Sequence, residues 1–74
     1  MKFQRLTEDN KPRPFTDLLV ISNEGMIYAA ERSKSQVYQY DYYEVYGPHR
    51  NMLSNQIIAW CYMQDIDIEI KGKA

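Results

Sequence analysis

The sequence is short of the residues that carry most recognisable chemistry. It has one cysteine, Cys61, and one histidine, His49, in 74 residues. One cysteine cannot staple the chain internally, and its scarcity fits a reducing compartment. With one His and no CxxC spacing, a structural zinc site has no ligand set. No apolar run approaches the ~18–20 residues of a membrane helix. The opening Met1-Lys2-Phe3-Gln4-Arg5 has no apolar stretch behind its positive charges, so no signal peptide is expected. A net charge of −1 removes the simplest electrostatic case for binding nucleic acid.

What remains is aromatic and β-branched. The length allows one small domain, residues 1–74, burying only about 60% of its unfolded surface. With no disulfide or metal to help, large side chains or a partner chain must stabilise it. Seven tyrosines, two phenylalanines and one tryptophan supply the large side chains.

Residues 1–16 read as an extended lead-in arm. Pro12 and Pro14 fix their own φ and keep the residues before them out of the helical region. Phe3 and Leu6 offer the arm two points for docking on the core. Lys11 and Arg13 could form a basic clamp, but charges beside prolines more often line a solvated loop. Leu18-Leu19-Val20-Ile21 and Met26-Ile27-Tyr28-Ala29-Ala30 flank Ser22-Asn23-Glu24-Gly25. That pattern predicts a β-hairpin closed by Gly25 at positive φ, its first strand central in a sheet. Glu31 to Gln36 reads as a charged turn.

From Val37 to Tyr46, Tyr38, Tyr40 and Tyr42 alternate with polar residues. The phase then slips at Tyr42-Tyr43, as a bulge or a turn requires. Pro48 to Gln56 reads as a loop or the first turn of a short helix. Ile57 to Met63 fits a buried strand, although Leu53, Ile57 and Trp60 also match helical spacing. Ile66, Ile68 and Ile70 alternate with Asp65, Asp67 and Glu69 as an amphipathic edge strand, and residues 71–74 as a frayed tail. The fold class is therefore mainly β: a four- to five-stranded antiparallel meander or open barrel, with one short helix at most. The competing fold is α+β with residues 48–63 helical. Leu19, Ile21, Ile58 and Trp60 are the expected core.

No constellation for catalysis emerges. His49 has no nucleophile or metal motif near it, which fits a surface loop. Cys61 lies in the most apolar run, where a thiol is a small buried hydrophobe. Asp65, Asp67 and Glu69 share a strand face but lack a calcium loop, so they read as a solvated edge. The unusual feature is the tyrosine cluster: six of seven tyrosines fall between Tyr38 and Tyr62. Across residues 35–70 one basic residue faces five acidic ones. That balance disfavours nucleic acid, and tyrosines among acids suit a protein partner. The candidate partner-binding residues are Tyr38, Tyr40, Asp41, Tyr42, Glu44 and Tyr46. Core and cross-strand packing is the competing role for most of them. No cofactor is called for. A second functional expectation is a single-strand-binding β domain with Tyr38, Tyr40, Tyr42 and Trp60 as stacking platform, rimmed by Lys11, Arg13, Arg32, Lys34 and Arg50.

The order of features resembles small phage and prophage proteins of unknown function. The hairpin Asp17–Ala30, an aromatic and acidic middle, and Ile57-Ile58-Ala59-Trp60-Cys61-Tyr62-Met63 carry the likeness, over about residues 13–64. Many members have a His before the Trp and prolines after it; here those positions hold Ala59 and Tyr62-Met63. The resemblance implies a bacterial, cytoplasmic setting and supplies no site residues. Together these features lead us to expect a non-enzymatic domain that occludes a surface of a bacterial host protein or complex. A weak homodimer through the Ile66-Ile68-Ile70 edge is a further expectation.

Overall fold

A computed structural model describes residues 2–47 and 50–65. They form one antiparallel sheet of six strands: β1 (Gln4–Arg5), β2 (Asp17–Ser22), β3 (Ile27–Lys34), β4 (Asp41–Val45), β5 (Arg50–Leu53) and β6 (Ile57–Tyr62). The order across the sheet is β1-β6-β2-β3-β4-β5. Strands β2 to β5 make a meander, and β6 returns to pair with the far side of β2. The mainly-β class holds, with more strands than expected. Among the described residues the only helical pieces are two 3-10 turns, Ser54–Gln56 and Met63–Asp65. The helical alternative for 48–63 fails because Ile57–Tyr62 is β-branched and aromatic, and it pairs with β2.

The β2–β3 hairpin forms as its sequence predicts. Gly25 sits at φ 86° and its N–H donates to the Ser22 carbonyl at 2.9 Å. Ser22, fully buried, accepts on its hydroxyl from the Glu24 and Met26 N–H groups, both at 3.2 Å. A buried polar side chain is thus satisfied by the turn it closes.

The expected turn at Glu31–Gln36 is instead the second half of β3, which runs to Lys34 against β4. The turn lies at Ser35–Tyr40. There the Gln39 N–H donates to the Ser35 carbonyl at 3.0 Å, and Gln39 has φ 61°. The phase slip in the tyrosine run is therefore the exit from a turn and not a bulge, since Val37–Tyr40 precede the strand.

One face of the sheet is the core. Leu18, Val20, Ala30, Tyr43, Val45, Met52, Ile57 and Trp60 are buried there, with Leu6, Tyr28 and Tyr62 packed against them. Of the four expected core residues, Trp60 lies in the core and Leu19, Ile21 and Ile58 do not. Leu19 and Ile21 are half-buried on the opposite face, out of phase with Leu18 and Val20. Ile58 is 43% exposed because of a register shift. Ile21 pairs with Ala59 but Ser22 pairs with Ile57, so Ile58 is an extra residue on β6. That bulge turns Ile57 inward, in place of Ile58.

A single sheet needs a second layer to bury its inner face. The lead-in arm supplies it. After β1 pairs with β6, the chain reverses at Thr7–Asn10 and crosses to β3. Trp60 Nε1 donates to the Asn10 carbonyl at 3.1 Å, and Arg32 Nη1 to the Pro12 carbonyl at 2.6 Å. Pro12 is fully buried. The Arg13 N–H donates to the Tyr62 hydroxyl at 3.0 Å, and its guanidinium lies 4.3 Å from that ring's centre. The expected solvated lead-in is instead a strap across the core.

The proposed Ile66-Ile68-Ile70 edge strand, its dimer and the frayed tail lie outside the described residues, as does His49. Among the described residues, no helix is long and apolar enough to cross a membrane.

Because Trp60 fills the core and anchors the strap, Trp60→Ala should cost about 3–5 kcal/mol. That is most of the stability of a domain this small. Chemical denaturation measures it; a midpoint close to wild type would place Trp60 outside the core.

Candidate functional site

The fold separates the six candidate residues. Tyr38 stands at the turn tip, 76% exposed, with its ring stacked on Tyr40 at 6.1 Å between centroids and 28° between planes. Tyr40 meets Tyr42 at 6.3 Å, tilted by 59°. Three tyrosines thus form a ladder from the turn onto β4. Tyr42, Glu44 and Tyr46 follow the outer-face phase of the sheet, alternating with buried Tyr43 and Val45.

Asp41 takes the opposite phase and is committed to the fold. Its carboxylate accepts from Lys11 Nζ at 3.2 Å and from Arg32 Nη2 at 3.3 Å. Burial alone would raise its pKa. The hydrogen bond from Lys11 and the positive charges of Arg32 and Lys11 outweigh that and hold it below the usual aspartate value. The same bond, the Asp41 charge and Glu8 raise the pKa of Lys11. Asp41 is therefore a strap anchor and is not free to meet a partner.

The outer face gains acids that the strand pattern alone does not reveal. Asp17 on β2 lies opposite Glu31 on β3, and Glu31 lies opposite Glu44 on β4. Three carboxylates therefore run in a row across the sheet. No ion pair reaches any of them among the described residues. Like charges directly opposite one another destabilise a sheet, so the row is a local conflict within the fold. Tyr46 lies beside it and donates its hydroxyl to Asp17 Oδ1 at 3.1 Å. Its pKa is pushed up to about 12, by burial first, then by the Asp17 bond and the charges of Glu31, Asp17 and Glu44. Carrying the first hairpin past Ala30 in the sequence would have set Asp17 against Glu31.

Phe15 is the second conflict. It joins the strap to β2 at φ 58°, a left-handed conformation costly for a bulky side chain, yet its ring is 70% exposed. Its N–H donates to the Arg32 carbonyl at 2.9 Å, which fixes the backbone there. The ring borders a shallow cleft shared with Asp17 and Met63. A strained backbone that presents an aromatic ring to solvent points to function more than to stability.

The remaining candidates contribute little. Cys61 is buried, and burial first, then Asp65, pushes its thiol pKa up, away from a reactive thiolate. Asp65 is exposed, while Asp67 and Glu69 lie outside the described residues. Among the described residues, no three His, Cys, Asp or Glu side chains converge as a metal site would need.

Two stability measurements follow. Asp41→Asn should lose about 2 kcal/mol at neutral pH, the scale of charge-assisted bonds that are partly screened. Because the folded pKa is depressed, the stabilisation is fully present above the ordinary aspartate value of 3.8. It disappears as pH falls through the lower folded pKa, so wild type and variant should converge in acid. A gap independent of pH would mean that the charge is not the source. Glu31→Gln, which removes the middle charge of the row, should stabilise by about 0.5 kcal/mol at low salt and less at high salt. A loss of stability would show that the row is compensated.

Compared with known proteins, the chain matches no protein family, no curated protein and no solved structure.

Proposed function

We propose that the chain is a non-enzymatic protein-binding domain that uses the outer face of its sheet. Its partner is a basic surface of a bacterial host protein or complex, met in the cytoplasm. The observation that carries this reading is the row Asp17–Glu31–Glu44, three opposed carboxylates with no ion pair among the described residues. The repulsion within the row is relieved when a cationic surface covers it. Phe15 and Tyr46 flank the row as aromatic anchors. Complementary charge speeds encounter, while the aromatic contacts slow dissociation. The bacterial host as the source of the partner is part of the same proposal.

Two features weigh against a single-stranded nucleic acid on the same set of residues. Trp60, one member of that stacking platform, is only 2% exposed, and two cations of its rim, Lys11 and Arg32, are paired with Asp41.

Phe15→Gly suits the test, because glycine tolerates φ 58°. Relief of strain and the greater freedom of the unfolded chain nearly offset, so stability should stay within about 1 kcal/mol of wild type. In affinity capture from bacterial lysate at moderate salt, wild type should enrich one basic-surfaced protein. Phe15→Gly, and separately Glu31→Gln with Glu44→Gln, should lose it. Failure to enrich any protein, or equal enrichment by all three forms, would overturn the reading.

A further inference from the structure

A second site lies at the end of the sheet beyond Asp41 and is independent of the outer-face reading. The strap, the β3 end, the β3–β4 turn and the Ser54–Gln56 turn border an open cleft of about 640 Å³. That volume is in the range of small-molecule sites and far exceeds the needs of a bare inorganic anion.

Its charges are arranged unevenly. Lys11, Arg32 and Lys34 face Glu8 and Asp41, a net of one positive charge. Arg32 already bonds the Pro12 carbonyl through Nη1 and Asp41 through Nη2, so both terminal nitrogens have partners within the chain. Lys11 is held by Asp41 and Glu8. Lys34 lies opposite Asp41 in the strand register, yet it makes no ion pair among the described residues. The cation left over is therefore an ammonium, which takes phosphate as a point charge. Arg32, on the lining, also keeps its buried Nε without a hydrogen-bond partner. Most of the lining is polar, and two residues offer it apolar surface: Tyr40 and Leu53, each 44% exposed.

We infer that this cleft binds a small phosphomonoester carrying a planar ring, of the mononucleotide class. Lys34 takes the phosphate, with Lys11 beside it. The ring lies on Tyr40 against Leu53, since stacking on an exposed aromatic tolerates any base. The Asn55 amide, also on the lining, can bond the ring's edge.

The test is a two-dimensional amide NMR titration of the full chain with adenosine 5′-monophosphate, adenosine and inorganic phosphate, each into the millimolar range. The monophosphate should give saturable shifts at Lys34, Tyr40 and Asn55, with adenosine and phosphate each at least about tenfold weaker. Lys34→Ala and Tyr40→Ala, both exposed positions, should each weaken the monophosphate about tenfold while leaving the rest of the spectrum in place. A short single strand binding through the same residues much more tightly than the monophosphate would transfer the site to a polymer and overturn the inference. So would shifts that never saturate, phosphate alone binding as tightly as the nucleotide, or indifference to both substitutions.

Discussion

The hydrogen bond from Trp60 Nε1 to the Asn10 carbonyl joins the two parts of the molecule that cannot be stable apart. A six-stranded sheet in a chain of this length has no second sheet or helix among the described residues to cover its core face. The strap is the cover. It is fastened at one end by Trp60, at the middle by Arg32 and Asp41, and at the exit by the Phe15 N–H. Each fastening gives a backbone group or a charge a hydrogen-bond partner, so the strap contributes by covering the core and by pairing polar groups at its edge.

This arrangement divides the sheet by face. The inner face is consumed by packing, and the Lys11–Asp41–Arg32 cluster holds the strap down. The outer face is left with features that folding alone does not favour: an uncompensated acid row and an aromatic ring on a left-handed backbone. Natural sequences tolerate such conflicts where function requires them. The cleft at the sheet end lies where β3 ends and the β3–β4 turn begins, with Lys34 and Tyr40 on its wall.

Local chemistry was legible where it acts within a few residues. Gly25 and the apolar runs beside it gave the first hairpin, and the β-branched stretch at 57–62 read as a strand against the competing helix. Asp41 illustrates what was not legible. It looked like one more acid among tyrosines, yet its partners are 9 and 30 residues away, across a register and a strap. Ile58 shows the same limit at one residue: only the pairing with Ser22 and Ile21 reveals the bulge that sends Ile57 inward in its place. Of the candidate site, spacing sets Tyr38, Tyr40 and Tyr42 on one strand face, whereas Tyr38 and Tyr40 lie in the turn before β4. Of the acid row, the hairpin register alone gives Asp17 against Glu31, while Glu44 joins only once β4 is aligned.

The strap is part of the cooperative core, and native-state amide hydrogen exchange tests that directly. The Phe15 N–H, bonded to the Arg32 carbonyl, and the Leu6 N–H, bonded to the Ile58 carbonyl, should exchange with the same free energy as amides in the centre of β2. Exchange of these two amides orders of magnitude faster, with β2 still fully protected, would contradict it.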